Sequence, residues 1–186
     1  MSKKIYITGV AATGKSTLTK EFRKRNIFAI AVDEVPGLCF WVNRKTQKRV
    51  TIDKYQGSRE WLEAHEWTCD VPKLKRLLAP EAGLIIATGV LANQDEFLGL
   101  FDRFFLLKFD PSVMLQRIEN RNQEAPGQFG WHLEERELLL RVYQDLENKW
   151  IGQGAVPIDA NNPIDAVADK ILSEIHARLR VKETRD

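Results

Sequence analysis

Cysteine is nearly missing from this chain of 186 residues: Cys39 and Cys69 are the only two, and no C-x-x-C spacing joins them. That argues against a disulfide framework or a cysteine-rich metal site, and both thiols are expected to be free packing residues in a reducing compartment. No apolar run approaches the ~20 residues that a membrane span needs. Excess charge is lacking too: the formal net charge of +2 offers no argument for nucleic acid, and neither nucleic acid nor membrane is expected as a partner. Internal repeats and low-complexity tracts are absent. Met1-Ser2-Lys3-Lys4 runs straight into an apolar segment, which leaves no room for a signal peptide, so a cytoplasmic protein is expected. What is present is ordinary for a soluble globular protein, with 44% hydrophobic and 29% charged residues. A chain of this length buries about 70% of its unfolded surface, and one domain over residues 1–186 is expected.

Against this plain background one motif stands out. Gly9-Val10-Ala11-Ala12-Thr13-Gly14-Lys15-Ser16 matches G-x-x-x-x-G-K-[ST], directly after the apolar β-type run Lys4-Ile5-Tyr6-Ile7-Thr8. Gly9 and Gly14 allow backbone conformations that side chains obstruct, so the N–H groups of Ala11, Ala12 and Thr13 can face one concavity and hold phosphate oxygens. The helix opening near Lys15 turns its positive end to the same anion, and Thr17 lies in its first turn. The Lys15 ammonium can reach the β and γ phosphates, and the Ser16 hydroxyl can ligate Mg²⁺. Mg-ATP binding is therefore expected.

Strands and helices alternate along the rest. The spacing of Leu18 and Phe22 predicts a helix over 17–26, and strands are expected at 27–32, 84–88, 104–109 and 155–158. Residues 38–57 read as an irregular, mixed segment; helices are expected from Trp61 through Thr68, from Val71-Pro72 to Leu78, over 112–122, over 132–150 and over 163–179. Residues 123–131 read as a loop rich in Gly, Pro and Gln. Five apolar strands separated by helices imply an α/β fold, a parallel sheet covered on both faces with its site at the carboxyl ends of the strands. Those ends carry Gly9 to Ser16, Asp33-Glu34, Gly89 to Asp95 and Asp159 to Asn162.

With its P-loop near the N-terminus and a lid-like loop before a long helix, the chain resembles small P-loop kinases, the nucleoside monophosphate kinases and shikimate kinases. Asp33-Glu34-Val35-Pro36-Gly37, Asn93-Gln94-Asp95-Glu96-Phe97 and Phe101-Asp102-Arg103 resemble a bacterial, adenylate-kinase-like branch of unproven substrate. The resemblance covers nearly the whole chain and implies a three-layer P-loop NTPase fold with a five-stranded parallel sheet. It implies an acceptor-pocket segment over about 34–80 and a short lid over about 122–132. It also implies that Arg117 lies against adenine and Arg121 on the transferring phosphate; from spacing alone, the pair also reads as a solvated basic helix face. Asp33, with Glu34 beside it, falls where shikimate-like kinases set a carboxylate against the acceptor hydroxyl; it would orient that hydroxyl or hold Mg²⁺ through water, or else merely begin a turn. Trp41 and Trp61 fall in the acceptor segment, as base-stacking walls or as core. Gly89, Asn93 and Gln94 follow the third strand, where the two amides would read a base or sugar edge, or start the next helix. Ala160 and Asn161 match a backbone contact to adenine. Arg44, Arg59 and Arg141 are the candidates for gripping an acceptor phosphate. His132 is expected to start a helix rather than ligate a metal.

The implied activity is transfer of the γ-phosphoryl of Mg-ATP to a small-molecule acceptor, a nucleoside or nucleoside monophosphate, by a monomer or homodimer. A kinase of a shikimate-like acid is the first alternative. An ATP-binding regulator with slow, acceptor-independent hydrolysis is the second.

Overall fold

The structure, a computed structural model, describes residues 2–51, 57–79, 83–124 and 129–183. Residues 52–56 and 80–82 of the expected acceptor segment, and 125–128 of the expected lid, lie outside the described residues. Strand β1 (Lys3–Thr8) occupies the centre of a five-stranded parallel sheet together with β2 (Phe28–Ala31), β6 (Leu84–Thr88), β7 (Arg103–Lys108) and β8 (Val156–Asp159), in the order β2-β6-β1-β7-β8. The central strands are continuous apolar runs because both their faces are covered. Register pairs Ile7 with Thr88, whose hydroxyl meets Thr19 of α1 (Lys15–Lys24) at 2.7 Å. One residue earlier Tyr6 turns to the other face and packs on Phe97, Phe101 and Phe104. Leu18 and Phe22 supply the buried stripe of α1, as their spacing requires.

The connection between β2 and β6 departs from the sequence reading. Residues 38–57 are not irregular throughout: β3 (Cys39–Asn43) and β4 (Arg49–Val50) form a hairpin, and β5 (His65–Cys69) completes an antiparallel sheet in the order β4-β3-β5. The helix expected through Thr68 therefore stops early, as α2 (Arg59–Ala64), because His65 to Cys69 pair with Asn43 to Cys39. Long-range pairing overrides a local pattern that reads equally as helix. Asn43 shapes the hairpin: its Oδ1 accepts the N–H of Lys45 at 3.1 Å and of Thr46 at 3.0 Å. Cys39 and Cys69 face each other across the ladder as free thiols, and burial pushes both up to about 12.

Helix α3 (Val71–Leu77) is capped by Asp70, which accepts the Lys73 N–H at 2.9 Å. Helix α4 (Pro111–Glu124) runs past the expected end at 122, and α5 spans Leu133–Gly152. His132 does start that helix, as its N-cap. Helix α6 (Ile164–Glu183) closes the chain and is tied to α1 by the ion pair of Arg25 and Asp169. Among the described residues, no helix is long and apolar enough to cross a membrane.

Candidate active site

The carboxyl edge of the parallel sheet gathers the P-loop after β1, the Val32–Glu34 turn after β2, Gly89 after β6, and Ala160 to Asn162 after β8. The P-loop backbone is special: Ala12 has φ 63° and Gly14 φ 91°, both left-handed, so successive N–H groups turn inward. At Gly9 a Cβ would lie 2.7 Å from Thr13 Oγ1 and 2.9 Å from the Leu107 carbonyl, which leaves room for glycine only. Thr13 in turn donates its hydroxyl to the Val10 carbonyl at 2.9 Å and braces the loop from within.

Lys15 folds over this concavity, donating Nζ to the carbonyls of Gly9 at 2.6 Å and Val10 at 2.8 Å. Burial lowers its ammonium to about 8, the Asp33 carboxylate pulls it upward, and Arg121 pushes it further down. One carboxylate after β2 and one arginine from α4 thus both act on the charge of the P-loop lysine at the sheet edge. Asp33 and Glu34 are both exposed, and Glu34 pairs loosely with Arg23 at 3.8 Å. Ser16 and Thr17 are exposed at the start of α1. An exposed hydroxyl and an exposed carboxylate beside a phosphate cradle fit Mg²⁺, which keeps most of its waters and takes few protein oxygens.

Arg117 and Arg121 diverge in their surroundings. Arg117 donates Nη2 to the Ala160 carbonyl at 3.1 Å and lies 5.4 Å above the Phe109 ring, so α4, β7 and the loop after β8 meet there. Asn161 turns its amide on Asp159, at 2.8 Å, while the Ala160 carbonyl before it is taken by Arg117. Arg121 donates Nη2 to the Phe129 carbonyl, and burial lowers its basicity. Its Nε is buried with no hydrogen-bond partner among the described residues.

On the acceptor side the tryptophans pack chiefly on one another. Trp41 meets Trp61 edge-on at 4.8 Å and Trp67 at 5.3 Å, while Trp61 stacks on His65 at 4.2 Å. Asn93 spends its amide on the backbone of Cys69, accepting N–H at 3.0 Å and donating to the carbonyl at 3.1 Å, so it staples β5 to the segment after β6. Gln94 is fully buried, and neither amide atom has a hydrogen-bond partner among the described residues. Gly89 admits the Val32 side chain, which a Cβ would meet at 2.3 Å. Arg44, Arg59 and Arg141 each face a glutamate: Glu66 at 2.9 Å, Glu63 at 3.0 Å and Glu63 at 3.7 Å.

The sequence reading missed several residues of this edge. Thr88 ends β6 and links it to α1 through Thr19; Phe109 lies under Arg117; Phe129, Glu135 and Arg136 hold the turn next to Arg121. Only Glu135 carried a readable signal, as an acidic residue three positions after a helix-starting residue.

Comparisons with known proteins bear on the fold that carries this site. Among solved structures, shikimate kinase from Aquifex aeolicus superposes with a TM-score of 0.55 at 20% identity, covering 95% of this chain and 98% of that one. A gluconokinase from Sinorhizobium meliloti gives a TM-score of 0.58 at 15% identity, with 99% and 97% covered. Deoxyadenosine kinase from M. mycoides with bound dATP gives 0.57 at 18% identity, with 93% and 99% covered. At such identities the likeness establishes the fold, that of P-loop small-molecule kinases. No curated protein matches by sequence. The AAA_18 family, described as an AAA domain, matches residues 5–139, which take in the P-loop, Asp33, Arg117 and Arg121, and the chain belongs to that family.

Proposed function

We propose that this protein is a phosphotransferase that moves the γ-phosphoryl of Mg-ATP to a hydroxyl of a small acceptor, a nucleoside or nucleoside monophosphate. The observation that carries this reading is Lys15, folded back on the P-loop carbonyls of Gly9 and Val10 and reached there by the charges of Asp33 and Arg121. Phosphoryl transfer asks for positioning and charge stabilisation more than covalent chemistry, and these three groups supply both. The P-loop N–H groups hold the donor's phosphates, Lys15 exchanges its backbone carbonyls for phosphate oxygens, and Arg121 faces the charge that develops on the transferring group. Asp33 accepts the proton of the acceptor hydroxyl and aims its oxygen. Ser16 would hold Mg²⁺, with Asp33 reaching it through a water, and the ion would supply neutralisation of the phosphate charge. Arg117, Phe109 and the Ala160 to Asn161 backbone form the adenine side.

The acceptor side favours the nucleoside over its monophosphate. A monophosphate needs arginines, and Arg44, Arg59 and Arg141 already face Glu66 and Glu63. The fold is shared with a deoxyadenosine kinase, which is consistent with this choice. Trp41 and Trp61 then border the base, and Gln94, with its unpaired amide, is the polar group suited to reading it. The test is ADP release from Mg-ATP across a panel of nucleosides, monophosphates and shikimate-type acids, with Lys15→Ala as the blank. Stimulation by one nucleoside, lost in the blank, upholds the reading. Turnover that no acceptor stimulates overturns it in favour of a regulator or ATPase.

A further inference from the structure

Glu135, the third residue of α5, is fully buried although it carries a carboxyl group. Its Oε2 accepts the N–H of Gly130 at 2.8 Å and of His132 at 3.0 Å. Arg136 holds the other side of the same turn, donating Nε to the Gly130 carbonyl at 2.8 Å and Nη2 to that of Trp131 at 3.1 Å. The turn sits against α4: Gly130 has φ 97°, and a Cβ there would lie 3.0 Å from Ile118 Cγ2 and 3.4 Å from Arg121 Nη2.

Arg121 rests its guanidinium on the Phe129 carbonyl. That carbonyl and the Gly130 N–H belong to one planar, rigid peptide group. The carboxylate of Glu135 therefore grips one end of the peptide whose other end receives Arg121, and hydrogen bonds in series polarise one another. Capping a helix does not require burial, since short side chains in water do it well, and burying a carboxylate is costly. What full burial adds here is a fixed direction for the Phe129 carbonyl.

We infer that Glu135 is a positioning residue that sets Arg121 for the transferring phosphoryl group through the Phe129–Gly130 peptide. The inference rests on the phosphotransferase reading for its kinetic consequence, but not for its structural one.

The experiment compares the full-length wild type with Glu135→Gln, Arg121→Ala and the double variant. With the acceptor that the panel identifies, Glu135→Gln is expected to lower kcat about tenfold while KM for ATP changes less than about twofold, the pattern of an interaction made in the transition state. In the Arg121→Ala background the same change is expected to cost less than about twofold more, because the two residues act as one unit. Equal losses in both backgrounds, accompanied by equal falls in melting temperature, would show a cap and nothing else, and would overturn the inference. Glu135→Asp serves in the same cycle where Glu135→Gln does not fold. A readout independent of turnover is the ¹H–¹⁵N signal of Arg121 Nε together with the Gly130 amide. Both are expected to move in Glu135→Gln, and an unmoved Arg121 signal overturns the inference. Failure of every acceptor sinks the phosphotransferase reading alone, and the Arg121 signal still decides Glu135.

Discussion

Replacing Tyr6 by phenylalanine should stabilise this protein, contrary to the usual outcome of a core substitution. Tyr6 is completely buried in the middle of β1, with its ring against Phe97 at 5.3 Å, Phe101 at 5.2 Å and Phe104 at 5.7 Å. Among the described residues neither its hydroxyl nor that of Thr8, on the same face of the strand, has a hydrogen-bond partner of good geometry, and the two interact only weakly with each other. Burial raises the phenol well above its ordinary range, with Cys69, Cys39 and Asp33 adding to the effect; Thr8 counters it only in part. A buried hydroxyl without a partner costs about 1–3 kcal/mol of desolvation. Removing it leaves a void one oxygen wide, which at about 24 cal/mol per Å³ of cavity costs about 0.3 kcal/mol. The net gain is then on the order of 1–2 kcal/mol, and for a chain of this size it raises Tm by about 2–8 °C. Thermal scans and urea titrations of wild type and Tyr6→Phe measure it directly. A Tm that falls instead would refute the reasoning, because it would mean that Thr8 satisfies the phenol, directly or through a buried water.

Gly9→Ala drives a methyl group into Thr13 and the Leu107 carbonyl, and should weaken ATP binding at least about tenfold by calorimetry, since the loop backbone must shift; affinity within twofold of wild type would contradict the crowding argument. Glu135 gives a pH test: burial holds its carboxyl above the ordinary 4.5, so as pH rises the unfolded chain releases this proton first and the fold retains it. Wild type should therefore lose stability relative to Glu135→Gln as pH rises through the interval just above 4.5; urea-unfolding free energies of the two proteins between about pH 4 and 7 check the sign, and the opposite slope would count against it. Arg117→Ala removes the contact with Ala160 and the face over Phe109, so it should raise KM for ATP and leave that of the acceptor unchanged. Trp61→Ala deletes a side chain only 9% exposed and should cost about 3–5 kcal/mol in denaturant titrations; a loss under about 1 kcal/mol would show that Trp41 and His65 do not depend on it.

The legible and illegible parts of this chain divide by the range of the interactions that decide them. Buried parallel strands announce themselves as apolar runs, and the P-loop as fixed glycines, because each is a local demand on side chain or backbone. The small sheet could not be seen in this way. Trp61 to Thr68 satisfies a helical pattern until His65 to Cys69 find Asn43 to Cys39, and only then does Trp41 meet Trp67 across the ladder. The same division runs through the site. Arg117 and Arg121 are readable as a pair on one helical face, yet Arg117 is defined by a carbonyl 43 residues away and Arg121 by a turn closed from the far side by Glu135. Asn93 is readable as an amide at a strand end, but its partner is the Cys69 backbone, 24 residues away, so its amide ties the small sheet to the segment after β6. Sequence shows which groups can do chemistry; which of them are left free to do it depends on the peptide groups that other segments bring. Glu135 marks the limit, being visible as a capping residue while its burial, from which the positioning role follows, is not.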